Sequence, residues 1–279
     1  MLPGALTPPL QRRLSRLGTR LSFAVAAEEL ADLRGVTVSP ATARRRTEGD
    51  GAVLVGLEDG EAASLARTCP VPVAGPAVQQ LSVDGVLVPL VGGEWGEVKL
   101  LTLGTVEPGR EEGTVQTTDL SYFGRRTEAA TFADLARGEV ERRGVETAGV
   151  VAAVSDGAPW CQSFVDVHRP DAVRILDFPH AVEYLATAAK TAFGAETAAD
   201  QAWLADQVDE LKDGDPVLVL GALEGLPVAD APDPVAAAAA QGTAAEYLGT
   251  RLSQIHYAQF RAAGYPIGSG AGESGNKVV

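Results

Sequence analysis

The chain has 279 residues, of which 46% are hydrophobic and 22% are charged, a composition typical of a globular protein that buries a core. No apolar run approaches the roughly 18 residues of a membrane span, and no basic segment followed by an apolar stretch begins the chain, so we expect no membrane partner, no secretion signal and a cytoplasmic location. The two cysteines, Cys69 and Cys161, form no CxxC pair, which argues against a zinc ribbon or a disulfide framework.

The net charge of −14 is unevenly distributed along the chain. Residues 1–47 contain eight arginines and only three acidic residues, so the remainder is more acidic than the whole. A basic head on an acidic body predicts that any affinity for DNA begins at the N-terminus.

Three helices are predicted at the N-terminus. The first is basic and amphipathic over Gln11–Leu21, the second covers Phe23–Leu33, and a third, short helix begins at Pro40. Ser22 and Ser39 are suitable N-cap residues, and proline directly after Ser39 favours a helix start.

The order of a helix, a glycine-containing turn and an arginine-bearing helix predicts a helix-turn-helix in residues 1–48. The residues expected to contact DNA are Arg44, Arg45 and Arg46. The alternative is a helical hairpin whose arginines are only solvated. Residues 49–77 are rich in Gly, Ala and Pro and are interpreted as a linker, with one helix at Glu58–Thr68.

The segment 78–279 shows the element order β-β-β-α-β-α-β-α. Strands are predicted at Leu81–Pro89, Glu97–Leu103, Thr114–Tyr122, Gly149–Ser155 and Arg174–Phe178. Helices are predicted at Glu128–Arg142, Trp160–His168 and Pro179–Phe193. This order is that of an α/β, RNase H-like mixed sheet. Residues 194–262 are too many for a structureless loop and are rich in helix formers, so they predict a helical insertion.

Three acidic residues stand at chemically informative positions. Asp84 lies within the first strand, Asp156 follows the fourth, and Glu273 lies near the start of a last helix. In an RNase H-like sheet the first and fourth strands are neighbours, and the final helix crosses them. The three carboxylates are therefore expected to converge.

Converging carboxylates repel one another, and their burial without partners is costly. Mg²⁺ (or Mn²⁺) relieves this repulsion while keeping coordination positions for water and phosphate. A two-metal site of this kind supports in-line displacement at phosphorus. We therefore expect Asp84, Asp156 and Glu273 to be metal ligands and catalytic residues.

Other residues support weaker hypotheses, each with an ordinary alternative. Asp177 and His180 either lie near the predicted metals or have ordinary roles, Asp177 as a helix cap and His180 as a structural histidine. Trp95 and Trp160 stack on a DNA base or are simply packed. Lys277 holds a phosphate or pairs with Glu273. His168 and His256 have no ligand spacing and are expected to be structural, and no nucleotide-binding glycine motif is present.

Several segments together resemble bacterial insertion-sequence DDE transposases, closest to the Kra-type group. They are Val83-Asp-Gly, Gly93-Glu-Trp-Gly-Glu-Val-Lys, Ser155-Asp-Gly-Ala-Pro-Trp, Leu176-Asp-Phe-Pro-His-Ala and Tyr265-Pro-Ile-Gly-Ser-Gly-Ala-Gly-Glu-Ser-Gly-Asn-Lys. The resemblance implies that Asp84, Asp156 and Glu273 form the DDE triad. It also implies double-stranded DNA (transposon ends and target) as partner, a homo-oligomer in the active complex, and association with the nucleoid.

The chain departs from that family at both ends. It lacks an upstream cysteine-containing segment and ends soon after the Glu-Ser-x-Asn-Lys motif, so we expect a trimmed copy that cleaves DNA feebly. Two alternatives to an active transposase stay open: a catalytically inactive DNA-binding derivative that acts as competitor or repressor, and a nuclease that acts on RNA–DNA hybrids.

Overall fold

The computed structural model describes residues 6–68, 71–90 and 92–270. The chain divides into two compact units, one ending at Pro70 and the other beginning at Val71. Within the described ranges, no helix combines the length and the apolar character that crossing a membrane would require.

The N-terminal unit consists of three helices, α1 (Pro8–Gly18), α2 (Phe23–Arg34) and α3 (Pro40–Leu65). Both predicted N-caps are confirmed, because the Ser22 hydroxyl accepts from the Val25 amide at 3.4 Å and that of Ser39 from Thr42 at 3.1 Å. The helices share a small core of fully or nearly fully buried side chains, namely Leu14, Ala27, Leu30 and Ala43.

The third helix is far longer than the short helix predicted. It runs through residues 49–57, which were expected to be linker, and covers most of the helix predicted at Glu58–Thr68. This stretch contains Gly49, Gly51, Gly56 and Gly60, each about 1 kcal/mol less favourable than alanine inside a helix. Glycine weakens a helix without ending it, whereas no proline interrupts residues 41–69. The glycine content was therefore a poor guide to where the helix ends.

Side-chain hydrogen bonds join α1 to α3, and no sequence pattern indicated them. The Asp50 carboxylate on α3 accepts hydrogen bonds from Gln11 Nε2 at 2.7 Å and from the Ser15 hydroxyl at 2.5 Å, both on α1. These two bonds lower the pKa of Asp50, so the carboxylate is ionised and an effective acceptor at neutral pH.

The C-terminal unit is built on a five-stranded mixed sheet of order β3-β2-β1-β4-β5. The strands are β1 (Val78–Pro89), β2 (Trp95–Pro108), β3 (Val115–Arg125), β4 (Val150–Ser155) and β5 (Val173–Leu176). The first three strands are antiparallel neighbours, while β4 runs parallel to both β1 and β5. This α/β architecture is compatible with an RNase H-like fold.

Helices cover both faces of the sheet, and successive side chains of β4 are buried against the helices of opposite faces. Val151 and Ala153 belong to the core formed with α4 (Ala129–Arg142) and α5 (Pro159–His168), while Ala152 and Val154 belong to the core formed with α6 (Phe178–Phe193). Successive strand residues point to opposite faces, so a strand buried on both sides is apolar throughout.

The predicted insertion is helical. It contains α7 (Ala198–Asp213), α8 (Pro216–Glu224), α9 (Pro234–Gly249) and α10 (Tyr257–Ala262), with 3₁₀ turns at Val228–Asp230 and Leu252–Gln254. The helix-forming stretch 235–260 is divided after Gly249. Leu211, Val219, Leu248 and Tyr257 are buried in the same core as Ala152 and Val154 of β4, so the insertion completes one side of the sheet.

Candidate functional site

The parallel pairing of β1 with β4 sets the positions of Asp84 and Asp156. The last paired residues are Leu81 and Ala153. Asp84 lies three residues further along β1, and Asp156 lies three residues further along the chain, directly after β4. The two residues therefore occupy equivalent positions at the same edge of the sheet. The prediction that the first and fourth strands are neighbours is confirmed.

The side chains of both aspartates reach one side of the sheet. Leu81 and Val83 of β1 are buried in the core with α4 and α5, so alternation directs Asp84 to the opposite face, and Asp156 lies directly after β4. Both aspartates line a cavity of about 140 Å³. Its lining consists of Ser82, Val83, Asp84, Leu100, Thr102, Ser155, Asp156, Asp177, His180 and Ser269.

Backbone amides orient the two carboxylates. Asp84 Oδ1 accepts from the amide of Gly85 at 2.7 Å, and Asp156 Oδ1 accepts from the amide of Ala158 at 2.8 Å. Each aspartate therefore has a defined orientation before any ligand is bound.

Asp177 joins the pair from the end of β5. Its amide donates to the Ser155 carbonyl at 2.8 Å, and its Oδ1 accepts from the Ser269 amide at 2.6 Å. It occupies the N-cap position of α6, as the cap interpretation predicts, and its side chain also interacts with the amide of His180 in the first turn of that helix. Burial raises the pKa of Asp177, against the opposing effect of the hydrogen bonds from Ser269.

His180 borders the same cavity from the first turn of α6. Its Nδ1 lies 3.4 Å from Oε2 of Glu183, and its side chain is partly exposed. Asp177 and His180 thus line the same cavity as Asp84 and Asp156, and their relation to bound metals stays a prediction.

The donor set suits a hard divalent cation, although the described residues do not complete a site. Within residues 6–68, 71–90 and 92–270, no group of three His, Cys, Asp or Glu side chains is close enough to hold a metal ion. Glu273 and Lys277 lie outside the described residues. Carboxylate oxygens are the ligands that Mg²⁺ prefers, and it needs only one or two of them when waters complete its shell. Asp84 and Asp156 fit that requirement.

Cys161 is a neighbour of the site that sequence reasoning missed. Its Sγ lies 3.5 Å from Asp156 Oδ1 and 3.5 Å from the Val83 carbonyl oxygen, and the side chain is fully buried. Burial, reinforced by the charges of Asp156 and Asp84, raises the pKa of the Cys161 thiol. The thiol is therefore a neutral donor beneath Asp156, inaccessible from solvent.

The tryptophans and His168 have different roles. Trp160 packs edge-on against Phe132, with centroids 6.1 Å apart, so it is a core residue, whereas Trp95 is 66% exposed. His168 is structural, as expected, because its Nε2 lies 3.0 Å from the Ala133 carbonyl oxygen and its ring packs on Phe164 at 4.5 Å. Burial lowers the pKa of His168 to about 4, so it is neutral at physiological pH.

The arginines predicted to contact DNA lie near the start of α3 in the N-terminal unit. Arg44 and Arg45 are exposed, and Arg44 pairs with Glu48 at 2.7 Å on the helix surface. Arg46 differs, because its Nε is buried and its charge interacts with Asp50. The exposed pair is therefore better placed for a phosphate backbone than Arg46.

Comparison with protein-family models gave no match, and a search of curated proteins found no relative.

Gly157, next to Asp156, is required by the local geometry. Its φ of +76° is strained for residues with a side chain, and a Cβ there would lie 2.4 Å from Arg251 Nε and 3.2 Å from Leu176 Cδ1. We predict that Gly157→Ala lowers the free energy of unfolding by about 1–3 kcal/mol, through backbone strain and the displacement of Arg251.

Denaturant unfolding measures this change. Gly221→Ala is the matched control, because Gly221 is inside α8 and a Cβ added to it would meet no atom within 4 Å. There alanine should stabilise by about 0.5–1 kcal/mol. Equal stability of Gly157→Ala and the unsubstituted chain would contradict the requirement for glycine.

Proposed function

We propose that the chain is a metal-dependent polynucleotidyl transferase of the DDE-transposase type, which cuts and joins DNA at Asp84 and Asp156. The observation that carries the proposal is the parallel β1–β4 pairing, which brings both aspartates to one cavity. The motif resemblance and the order of the strands support it. Glu273 is proposed as the third carboxylate on the resemblance alone.

In this proposal Asp84 and Asp156 hold Mg²⁺ or Mn²⁺ through their carboxylate oxygens. When bound, the divalent cations would activate a water or a 3′-hydroxyl and would neutralise the charge that develops on the leaving oxygen. The amides of Gly85 and Ala158 orient the two carboxylates, while buried Asp177 adds a further acid at the cavity wall. Preorientation of this kind limits the reorganisation needed when a substrate binds.

A neighbouring groove offers a path for a nucleic-acid strand. It has a volume of about 610 Å³, includes Gly268 next to Ser269 of the smaller cavity, and carries the cations Lys212 and Arg261. Arg261 is paired with Asp213, so Lys212 is the better candidate for a phosphate contact. A cationic groove beside a carboxylate cavity suits a polyanionic substrate whose scissile phosphate must reach the acids.

The N-terminal unit is proposed to bind duplex DNA as a helix-turn-helix, with α3 as the recognition helix. Gly35, with a φ of +63°, ends α2 in the left-handed conformation, and the chain turns into α3 at Ser39. Arg44 and Arg45 follow within two turns and are exposed. The Arg44–Glu48 pair is exposed on both sides and is worth only about 0.5 kcal/mol, so a phosphate can replace Glu48. Transposon ends and target DNA are the proposed partners, with a homo-oligomer as the active assembly.

The catalytic part is tested by cleavage of labelled duplex DNA in Mg²⁺ and in Mn²⁺. Asp84→Asn and Asp156→Asn should each reduce metal-dependent cleavage by about 100-fold or more, because each removes a metal ligand at nearly constant side-chain volume. Asp134→Asn is the control, since Asp134 lies exposed on α4 and should leave the rate unchanged.

The result separates the competing functions. DNA binding without metal-dependent cleavage by the unsubstituted chain would contradict catalysis and support an inactive DNA-binding derivative. A strong preference for an RNA–DNA hybrid over duplex DNA would support a hybrid-specific nuclease. Cleavage that survives both substitutions would reject the proposed role of the aspartates.

The DNA-binding part is tested by the salt dependence of affinity. Arg44→Ala/Arg45→Ala should weaken duplex binding and reduce the slope of log affinity against log salt by about 2, since each lost phosphate contact changes it by about 0.9. Arg67→Ala removes an exposed arginine beyond the other end of α3 and should have a smaller effect. Unchanged affinity in the double variant would favour the helical hairpin with solvated arginines.

A further inference from the structure

Two side chains from the helical insertion bind the backbone at the end of β4, where Asp156 lies. The Tyr247 hydroxyl, on α9, donates a hydrogen bond to the carbonyl oxygen of Asp156 itself. Arg251, just after α9, donates from Nη2 to the carbonyl oxygen of Gly157 at 3.0 Å. Consecutive carbonyl groups are thus bound by two side chains that lie four residues apart.

Arg251 also sets the shape of this turn through direct packing. Its Nε and Cδ would lie 2.4 and 2.9 Å from a Cβ on residue 157, so only glycine allows the guanidinium to lie against the backbone. The same turn contains the Ala158 amide that orients the Asp156 carboxylate. The Gly157 carbonyl that Arg251 binds and the Ala158 amide belong to one peptide unit, which links Arg251 to the carboxylate.

The pair is itself held rigidly. The Tyr247 ring is stacked on Tyr184 of α6, with centroids 3.9 Å apart and an interplanar angle of 13°. The Arg251 guanidinium lies over the Tyr247 ring at 4.1 Å, and its Nη1 donates to the Tyr247 carbonyl oxygen at 3.0 Å. A planar guanidinium can stack and donate in several directions at once, which an ammonium group cannot do.

The phenol of Tyr247 donates to one defined acceptor. In contrast to a solvent-exposed tyrosine, its hydroxyl is fixed on a single backbone acceptor whose side chain lines the carboxylate cavity.

We propose that Tyr247 and Arg251 are positioning residues, through which the helical insertion fixes the Asp156 carboxylate for divalent-cation binding. This role rests on the proposed function, in which Asp156 is a metal ligand. Neither side chain touches the reacting atoms. Both act through the Asp156–Ala158 backbone.

The test is calorimetric titration of the full chain with Mn²⁺, together with thermal unfolding and duplex-DNA affinity. Tyr247→Phe keeps the stacked ring and loses the hydroxyl, while Arg251→Lys keeps the charge and loses the planar fork. Each should weaken Mn²⁺ binding by about tenfold, the scale for groups that orient metal ligands, with DNA affinity unchanged. Tyr184→Phe removes a neighbouring hydroxyl but keeps the stacked ring, and it should bind Mn²⁺ like the unsubstituted chain.

Asp156→Asn in the same titration separates the two proposals. If it weakens Mn²⁺ binding and neither Tyr247→Phe nor Arg251→Lys does, positioning is overturned and the proposed metal site stands. If it has no effect, the proposed function fails, and the role of the pair with it. Equal losses in Tyr184→Phe and Tyr247→Phe would also overturn positioning, since the effect would then not depend on the bond to Asp156.

Discussion

The parallel pairing of β1 with β4 is the constraint on which the candidate site depends. Because side chains alternate along a strand, a slip of one residue in this register would move Asp84 to the face covered by α4 and α5. The apolar residues on that face, Leu81 and Val83 on β1 and Val151 and Ala153 on β4, are buried together. Burial of these side chains therefore fixes the register, and the register fixes where Asp84 and Asp156 lie.

Placing acids at one edge has an electrostatic cost, which the surrounding backbone reduces. Amides of Gly85, Ala158 and Ser269 each donate to a carboxylate oxygen of Asp84, Asp156 or Asp177. These amides are fixed dipoles, so they need no reorganisation. The helical insertion adds the hydrogen bond from Tyr247 to the Asp156 backbone. The candidate site therefore depends on the insertion as well as on the sheet.

Periodicity and end signals predicted most of the architecture but little of the detailed site. The five strands follow from hydrophobic alternation, and the start of α3 follows from the cap Ser39, because these signals are local. Local signals do not predict the continuous α3, because a high glycine content is more typical of a linker. Contacts such as Cys161 and Tyr247 with Asp156 join residues 5 and 91 positions apart, and no local pattern encodes them. The one sequence signal for Tyr247 is that it is the only aromatic residue in the alanine-rich α9.

The central claim is that Asp84 and Asp156 form one binding site for a divalent cation. Iron-directed backbone cleavage tests this claim most directly. Fe²⁺ in a Mg²⁺ site generates hydroxyl radicals with ascorbate and peroxide, and these cut the nearest peptide bonds. We predict cuts beside Asp84 and Asp156, suppressed by excess Mg²⁺ and lost in Asp156→Asn. Cuts elsewhere in the chain, or cuts at these positions that neither Mg²⁺ nor the substitution affects, would contradict a shared cation site.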